Sequence, residues 1–422
     1  MLTNIIITLA ILLSSAYILS RIYAFPRNIW LLFVTQPLVG SSGPIIVFIG
    51  GILSSEMASD PSLATLPMTL MILGIAAGSI PAAMLAKNYG RRFAIYAGLF
   101  CLLIASIAAI FSAKLADFSL FSFASLLMGI GGAFTQQLRF AAIESTVKND
   151  DIPKVLSILM LSGVFAAFLG PEIAVFGKSL VTSPHGYLGS FFLLAMLILV
   201  AMLIMIAFKN PTMSSEQAKG KTRPLIKIAK QPIFIIAICT ATIGFALMSY
   251  LMTATPISMH NIQSHSLQET KWVIQTHIAA MYIPSLFTPW LVKKLKLKGL
   301  MIIGSLIYAV VAYIALSGHE VMHYWWALML LGVGWNLLFL TGTSLLPESY
   351  QDSERHKVQA TNDFILFGFQ AAASLLAGWV LFTSGWHWVV ITSIPFIIVL
   401  FIITGFYHKL TLTKKPHSKT SA

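Results

Sequence analysis

The chain has 422 residues, 57% of them hydrophobic and only 10% charged, with a formal net charge of +13. Soluble globular domains carry about 25% charged residues, so a mean hydropathy of +0.85 excludes a soluble enzyme and implies a polytopic membrane protein. The basic excess is not a nucleic-acid signal, because the Lys and Arg residues fall in short loops on one side of the predicted spans.

The apolar runs are continuous over about 18–25 residues instead of alternating, which predicts helices and not a barrel. The first run, Ile5 to Ser20, precedes Arg21 and Arg27 and is about 16 residues long, short for a span. Three readings stay open for it: a thirteenth helix with its N-terminus outside, a product of the chosen start codon, or a signal peptide. The last is the weakest, since no charged segment precedes it and no A-x-A site follows.

Predicted spans then follow at 29–53, 63–86, 93–115, 118–143, 154–177 and 187–208, and after a linker at 232–258, 271–291, 299–317, 322–346, 359–383 and 386–407. The expected organisation is a hydrophobic segment 1–28, a six-helix half 29–208, a linker 209–231, a second six-helix half 232–408 and a basic tail 409–422. All Lys and Arg except Lys114, Lys178, Lys271 and Arg139 lie on the side of the linker and the tail. The positive-inside rule makes that side cytoplasmic, so an inner-membrane protein with a cytoplasmic C-terminus is expected. The linker, with six basic residues around Glu216, reads as a solvated inside loop with a short surface helix near 224–230.

Internal repetition is the strongest organisational signal. Gly129-Ile130-Gly131, Glu144-Ser145 and Lys154-Val155 return as Gly332-Val333-Gly334, Glu348-Ser349 and Lys357-Val358. A half-length repeat implies two fused copies of one unit, and in an apolar chain it points to a secondary transporter whose site lies between the copies.

Twelve spans in a six-plus-six repeat resemble the major facilitator superfamily over residues 29 to about 408. The best local marker is Leu85-Ala86-Lys87-Asn88-Tyr89-Gly90-Arg91-Arg92, similar to that family's loop motif L-A-D-R-x-G-R-R, with Lys87 standing where the pattern has Asp and Asn88 where it has Arg. The second-half turn, Lys293 to Lys298, keeps the charge and loses the glycine pattern. Met252 to His260, Gly332 to Asn336 and Asn362-Asp363-Phe364 resemble a branch of proteobacterial permeases whose substrate the resemblance does not give; siderophore and riboflavin permeases are members of the superfamily. The fold implied is an all-α bundle of 6+6 membrane helices that rock to give alternating access.

Gly90 permits a tight turn, and the guanidinium groups of Arg91 and Arg92 can then reach nearby carboxylates. Glu144 is the expected partner of Arg91, and by the repeat Glu348 would serve the lysines of the second-half turn. Lys87 would pair with Glu354 or Asp363. Each is a latch candidate, against the plainer reading of surface ion pairs worth about 0–1 kcal/mol.

Ionisable residues inside spans are the coupling candidates. Glu172 follows Gly170-Pro171, and an ionised carboxylate at such depth costs about 2.5–3.5 kcal/mol, so it is neutral, paired or faces water. It is the first candidate for proton coupling, with Asp363 and His277; Asp363 beside Asn362 also fits a helix N-cap. Arg139 is expected either to snorkel or to face the substrate cavity, which by resemblance is lined by spans 1, 4, 7 and 10.

The polar residues of those spans, Gln36, Gln136, Gln137, Tyr250, Thr253, Trp335, Asn336 and Thr341, suit an amphipathic or aromatic molecule, although amides and hydroxyls also cement helix contacts. Gly40, Gly43 and Pro44 break span 1, and Pro256 breaks span 7 in the matching place. Only Gly170-Pro171 survives of an exporter motif that Ala166, Ala174 and Val175 otherwise replace.

His185, His260, His265, His319, His323 and His387 gather near the outer face without metal-site spacing. Cys101 and Cys239 lie inside spans, far from any C-x-x-C pattern. No Walker A sequence occurs, so ATP is not the drive. The expectation is a monomeric, proton-coupled secondary transporter without metal or cofactor, acting on a small molecule in the bilayer and binding no nucleic acid. Export of a drug or siderophore-like compound and import of a metabolite such as a vitamin stay open, as does a non-transporting receptor or scaffold.

Overall fold

The computed structural model describes residues 2–147, 151–211 and 223–413, and among these there are helices and no strand. They run in chain order as α1 (Leu2–Ile22), α2 (Arg27–Met57), α3 (Pro61–Tyr89), α4 (Arg91–Leu115), α5 (Phe118–Glu144), α6 (Ile152–Lys178), α7 (Leu188–Met205), α8 (Pro232–Ile262), α9 (Leu267–Tyr282), α10 (Thr288–Ser317), α11 (Val321–Leu345), α12 (Arg355–Ser384) and α13 (Trp386–Thr413). Short connections make neighbours alternate in direction, so the bundle has a linker end, where α2 starts and α7 stops, and an opposite far end.

Twelve described helices are long and apolar enough to cross a membrane, but not the twelve that hydropathy predicts. The N-terminal run forms the 21-residue α1, packed on α2 and α6. The predicted span 271–291 is instead a 16-residue helix, α9, continued by a 3-10 turn over Ile283–Phe287. The basic stretch Lys293–Lys298, predicted as a turn, lies inside α10, which kinks where Lys296 adopts φ 55°. Of the linker, a short helix spans Leu225–Ala229, while Glu216, Lys219 and Lys221, like residues 414–422 of the tail, fall outside the described residues.

Local chemistry places the ends. Asp117 accepts from the Leu120 amide to cap α5, and Ser266 with Glu269 forms a reciprocal capping box on α9, satisfying donors that a helix start leaves free. Gly90 turns α3 into α4 at φ 86°, where a side chain would be strained.

The repeated glycines have a packing reason. A Cβ on Gly129 would lie 1.9 Å from the Met71 carbonyl oxygen of α3, and one on Gly332 would lie 2.6 Å from the His277 carbonyl oxygen of α9. Two residues on, a Cβ on Gly131 would meet Leu102 of α4 at 2.6 Å, and one on Gly334 would meet Tyr308 of α10 at 2.8 Å. Each copy therefore uses one glycine pair to seat the same kind of helix between two neighbours.

The matched breaks also have a shared form. Past Pro44, α2 widens into a π-helical turn over Ile46–Gly50, and past Pro256, α8 does the same over Ile257–Ile262. The wide turns meet: a Cβ on Gly51 would sit 2.8 Å from Ile257. Asn261 Nδ2 donates to Ser55 Oγ at 2.9 Å and Thr65 Oγ1 to the Leu375 carbonyl at 3.3 Å. The two halves are thus closed on each other at the far end.

Candidate functional site

At the linker end the glycine turn delivers Arg91 to Glu144, as expected. Its Nε and Nη2 donate to the carboxylate at 2.9 and 2.6 Å, and Nη1 donates to Gln137 Oε1 at 2.9 Å. Gln137 Oε1 is therefore engaged by Arg91. Arg92 joins α4 to the end of α7, its amide donating to Asn210 Oδ1 at 2.8 Å and Nη2 to the Ile206 carbonyl at 3.1 Å.

The other expected latches take a different form. Glu354 is fully buried and is held by Arg223 of the linker at 2.6 Å, not by Lys87. Lys87 is exposed and makes no ion pair among the described residues, and neither does Glu348. The lysines predicted to meet Glu348 sit within α10, so the first-half geometry is not repeated there.

Between the halves, Arg139 near the linker end of α5 and Asp363 two turns into α12 act on each other electrostatically. Both are exposed, as is Gln136. Charged groups at this depth that are not buried in protein face water or headgroups rather than hydrocarbon. Gln36 of α2 is half-buried.

The second half supplies an aromatic wall. The Trp335 and Phe339 rings stack at 5.2 Å, Phe245 meets Trp335 edge-on at 5.0 Å, and Phe367 meets Phe245 at 6.3 Å. Trp335 Nε1 and Asn336 Oδ1 are buried without a partner, while Asn336 Nδ2 donates to the Met281 carbonyl at 2.8 Å and to Ser285 at 2.6 Å.

Other polar candidates are turned to packing. Tyr250 shares a 2.9 Å hydrogen bond with Thr392 of α13, Thr253 faces Ser374 at 3.4 Å, and Thr341 donates back to the Leu337 carbonyl at 2.8 Å. His277 is fully buried, with Nδ1 2.6 Å from the Leu328 carbonyl oxygen. At the far end His265 Nε2 lies 2.7 Å from the His319 carbonyl oxygen, and His185 pairs with Glu56 at 3.3 Å.

The pairing that sequence reasoning missed is Lys271 with Glu172. Hydropathy assigns Lys271 to the outer face, yet it lies four residues into α9, buried, with Nζ 2.7 Å from Glu172 Oε1 of α6. One turn deeper, Gln275 Nε2 donates to the Phe168 carbonyl at 3.1 Å. A lysine inside an apolar run opposite the one deeply placed glutamate was the available signal.

Two repeated sets of membrane-length helices, closed on each other at the far end, define a secondary-transporter architecture. The chain belongs to the major facilitator superfamily, whose family model matches residues 30–260 and 247–422, and it is a transporter of that type. It is 34% identical over 382 residues to the riboflavin transporter RfnT of Brucella anthropi, covering 89% of this chain and 95% of that one. It is 27% identical to YdeG of Bacillus subtilis, an uncharacterized transporter of the same superfamily, over 86% of this chain and 87% of that one. Among solved structures, the human organic anion transporter MFSD10 superposes with a TM-score of 0.63 at 12% identity, covering 90% of this chain and 100% of that one, which shows the shared fold.

Proposed function

We propose that this chain carries riboflavin, or a closely related flat heteroaromatic vitamin, into the cell across the cytoplasmic membrane, driven by protons, with the linker end and C-terminus inside. The observation that carries this reading is the wall formed by Phe245, Trp335, Phe339 and Phe367. A tricyclic ring system has the area to lie against such a wall, where each aromatic contact adds about 0.5–1.5 kcal/mol beyond its burial. The unpartnered Trp335 Nε1 and Asn336 Oδ1 offer one donor and one acceptor to a ligand, as a mostly apolar site with a few placed polar groups requires. Relatedness to a riboflavin transporter over nearly its full length supports the choice among aromatic molecules.

The single acid and single base across the cavity, Asp363 and Arg139, offset each other, which suits an uncharged solute with hydroxyls better than a phosphorylated one. Proton drive is supported by Glu172, a buried carboxylate at the seam between halves, with Asp363 a second candidate at the cavity. His277 is enclosed in the second half, its Nδ1 against the Leu328 carbonyl, and is the third candidate. The alternation itself would be a rocking of residues 29–208 against 232–408.

The test is uptake of labelled riboflavin into proteoliposomes under an imposed pH gradient, paired with growth of a riboflavin auxotroph at limiting vitamin. Accumulation that collapses with a protonophore is expected. Uptake no greater than in empty vesicles, together with no growth advantage, sinks the reading.

A further inference from the structure

Glu172 and Lys271 are the one buried ion pair among the described residues that joins the two halves. It lies toward the far end of the seam between α6 and α9, six residues before α6 stops and four after α9 starts. Both residues are under one-tenth exposed. The carboxylate is used unevenly. Lys271 Nζ at 2.7 Å and Asn4 Nδ2 of α1 at 3.3 Å both donate to Oε1, while Oε2 is buried with no partner.

We propose that this pair is the lock of the far-end gate and that a proton opens it, with Lys271 as the reading residue and Asn4 of the extra helix as a positioning residue. The inference rests on the proton-driven reading above. A proton arriving from the far side forms an O–H bond at Oε2, the free oxygen, and leaves the Glu172 carboxyl neutral. No other bond changes. The Lys271 ammonium then lacks a buried counter-charge, which a low-dielectric seam tolerates poorly. Its relief is water, reached by parting α9 from α6 at the far end. Asn4 lies on α1, which packs on the half that keeps Glu172, and its amide can donate to the carboxyl oxygen in either protonation state. It therefore holds Glu172 in place while Lys271 leaves.

The charged groups on the neighbouring elements are engaged elsewhere. From α7 and its approach, Tyr187 is covered by Lys178 at 4.9 Å. From α2, Glu56 is paired with His185 at 3.3 Å. On α9, Glu269 is engaged by its own cap at Ser266. None of these is bonded to Glu172, so its nearest charge is Lys271.

The test places a cysteine at Ser54, which is fully buried in the far-end turn of α2, in a chain whose Cys101 and Cys239 are replaced. Labelling by a membrane-impermeant maleimide in right-side-out vesicles is compared at pH 8 and pH 5.5, against the same variant denatured. E172Q, which keeps the shape and removes the charge, is expected to label roughly tenfold faster than the parent at pH 8, and the parent to approach it at pH 5.5. N4A is expected to stay closed at pH 8 and to shift the midpoint. The charge swap Glu172→Lys with Lys271→Glu restores the pair and is expected to label slowly at pH 8, which separates gating from misfolding. Equal labelling of parent and E172Q at both pH values, with proton-driven uptake intact, overturns the lock and leaves the transport reading standing. Loss of proton dependence in the unmodified chain instead overturns the reading on which the lock rests.

Discussion

Arg223, at the end of the segment joining the halves, closes on Glu354 at the start of α12 with side-chain hydrogen bonds of 2.8 and 2.6 Å. Its backbone amide donates to the same carboxylate at 2.7 Å, Nη2 reaches the Ser349 carbonyl at 3.2 Å, and Lys357 returns a hydrogen bond to the Arg223 carbonyl. The connection between the halves is therefore clamped to the second one. Hydrogen bonds from the guanidinium, with help from backbone amides, hold the Glu354 carboxyl well below the usual carboxylate range. A lowered folded-state value means the stabilisation is complete above the unfolded value, about 4.3, and is lost as pH falls below it. Glu354→Gln is expected to lower the melting temperature in detergent by the same amount at pH 8 and pH 6. A deficit that grew across that window would contradict the clamp.

The glycine pairs predict where bulk is not tolerated. Gly129→Leu and Gly332→Leu would each drive a side chain into a facing backbone carbonyl, and overpacking of this kind costs about 1–3 kcal/mol or more. Gly43 has nothing within 4 Å of a Cβ, so Gly43→Ala is expected to be neutral or to gain up to about 1 kcal/mol of helix propensity. Thermal melts of purified protein check all three; equal tolerance at Gly129 and Gly43 would undo the packing account.

Much of this was legible in the residues. Hydrophobic run length located most of the helices, and the Gly-x-Gly echo located the equivalent helices α5 and α11, because close helix approach leaves only glycine. The Arg91–Glu144 contact followed from a turn glycine beside two arginines. What failed were inferences about partners across elements. Lys271 looked like a residue at the outer-face end of a span because a lysine ends a hydropathy window, although its ammonium is matched by a carboxylate from the other half. Glu354 looked available to Lys87, because nothing local in the sequence says that Arg223 lies nearer in space. Tyr250 and Thr253 are polar residues on a helix expected to line the cavity, but helical phase turns their hydroxyls to α13 and α12, respectively.

The departure of Lys87 from the loop pattern now has a simple consequence. Its side chain is exposed and forms no ion pair among the described residues, so Lys87→Asp is expected to leave transport rate within about twofold, an exposed charge being worth about 0–1 kcal/mol. Glu144→Gln strips the bidentate contact from Arg91 and is expected to alter rate more than melting temperature. Initial uptake rates and melts of both variants decide; a Lys87→Asp chain that no longer transports would show a partner for Lys87 in the other conformation.

Trp335 gives the sharpest test of the aromatic wall. Trp335→Phe keeps a ring and removes the indole N–H, so it is expected to raise KM for riboflavin about 2–12-fold, the equivalent of about 0.5–1.5 kcal/mol. Trp335→Ala also removes the stack on Phe339 and is expected to raise it further. Maximal rate should change less than KM in the Phe variant. A KM unchanged in both would remove Trp335 from the site.

Arg139 and Asp363 make a last, sign-dependent prediction. They are opposed charges on the two halves that sense each other without forming a contact ion pair among the described residues. Removing either one alone leaves the cavity with net charge, which should damage both substrate selectivity and the return of the empty carrier. Arg139→Gln is expected to cut uptake at least tenfold, about 1.4 kcal/mol or more. Asp363→Asn leaves the cavity positive and is expected to make a phosphorylated flavin compete with riboflavin where it does not in the parent. The double variant restores neutrality and should recover part of the rate and the original discrimination. Competition assays on the three variants measure this directly, and additive losses in the double variant would show that the two charges act independently.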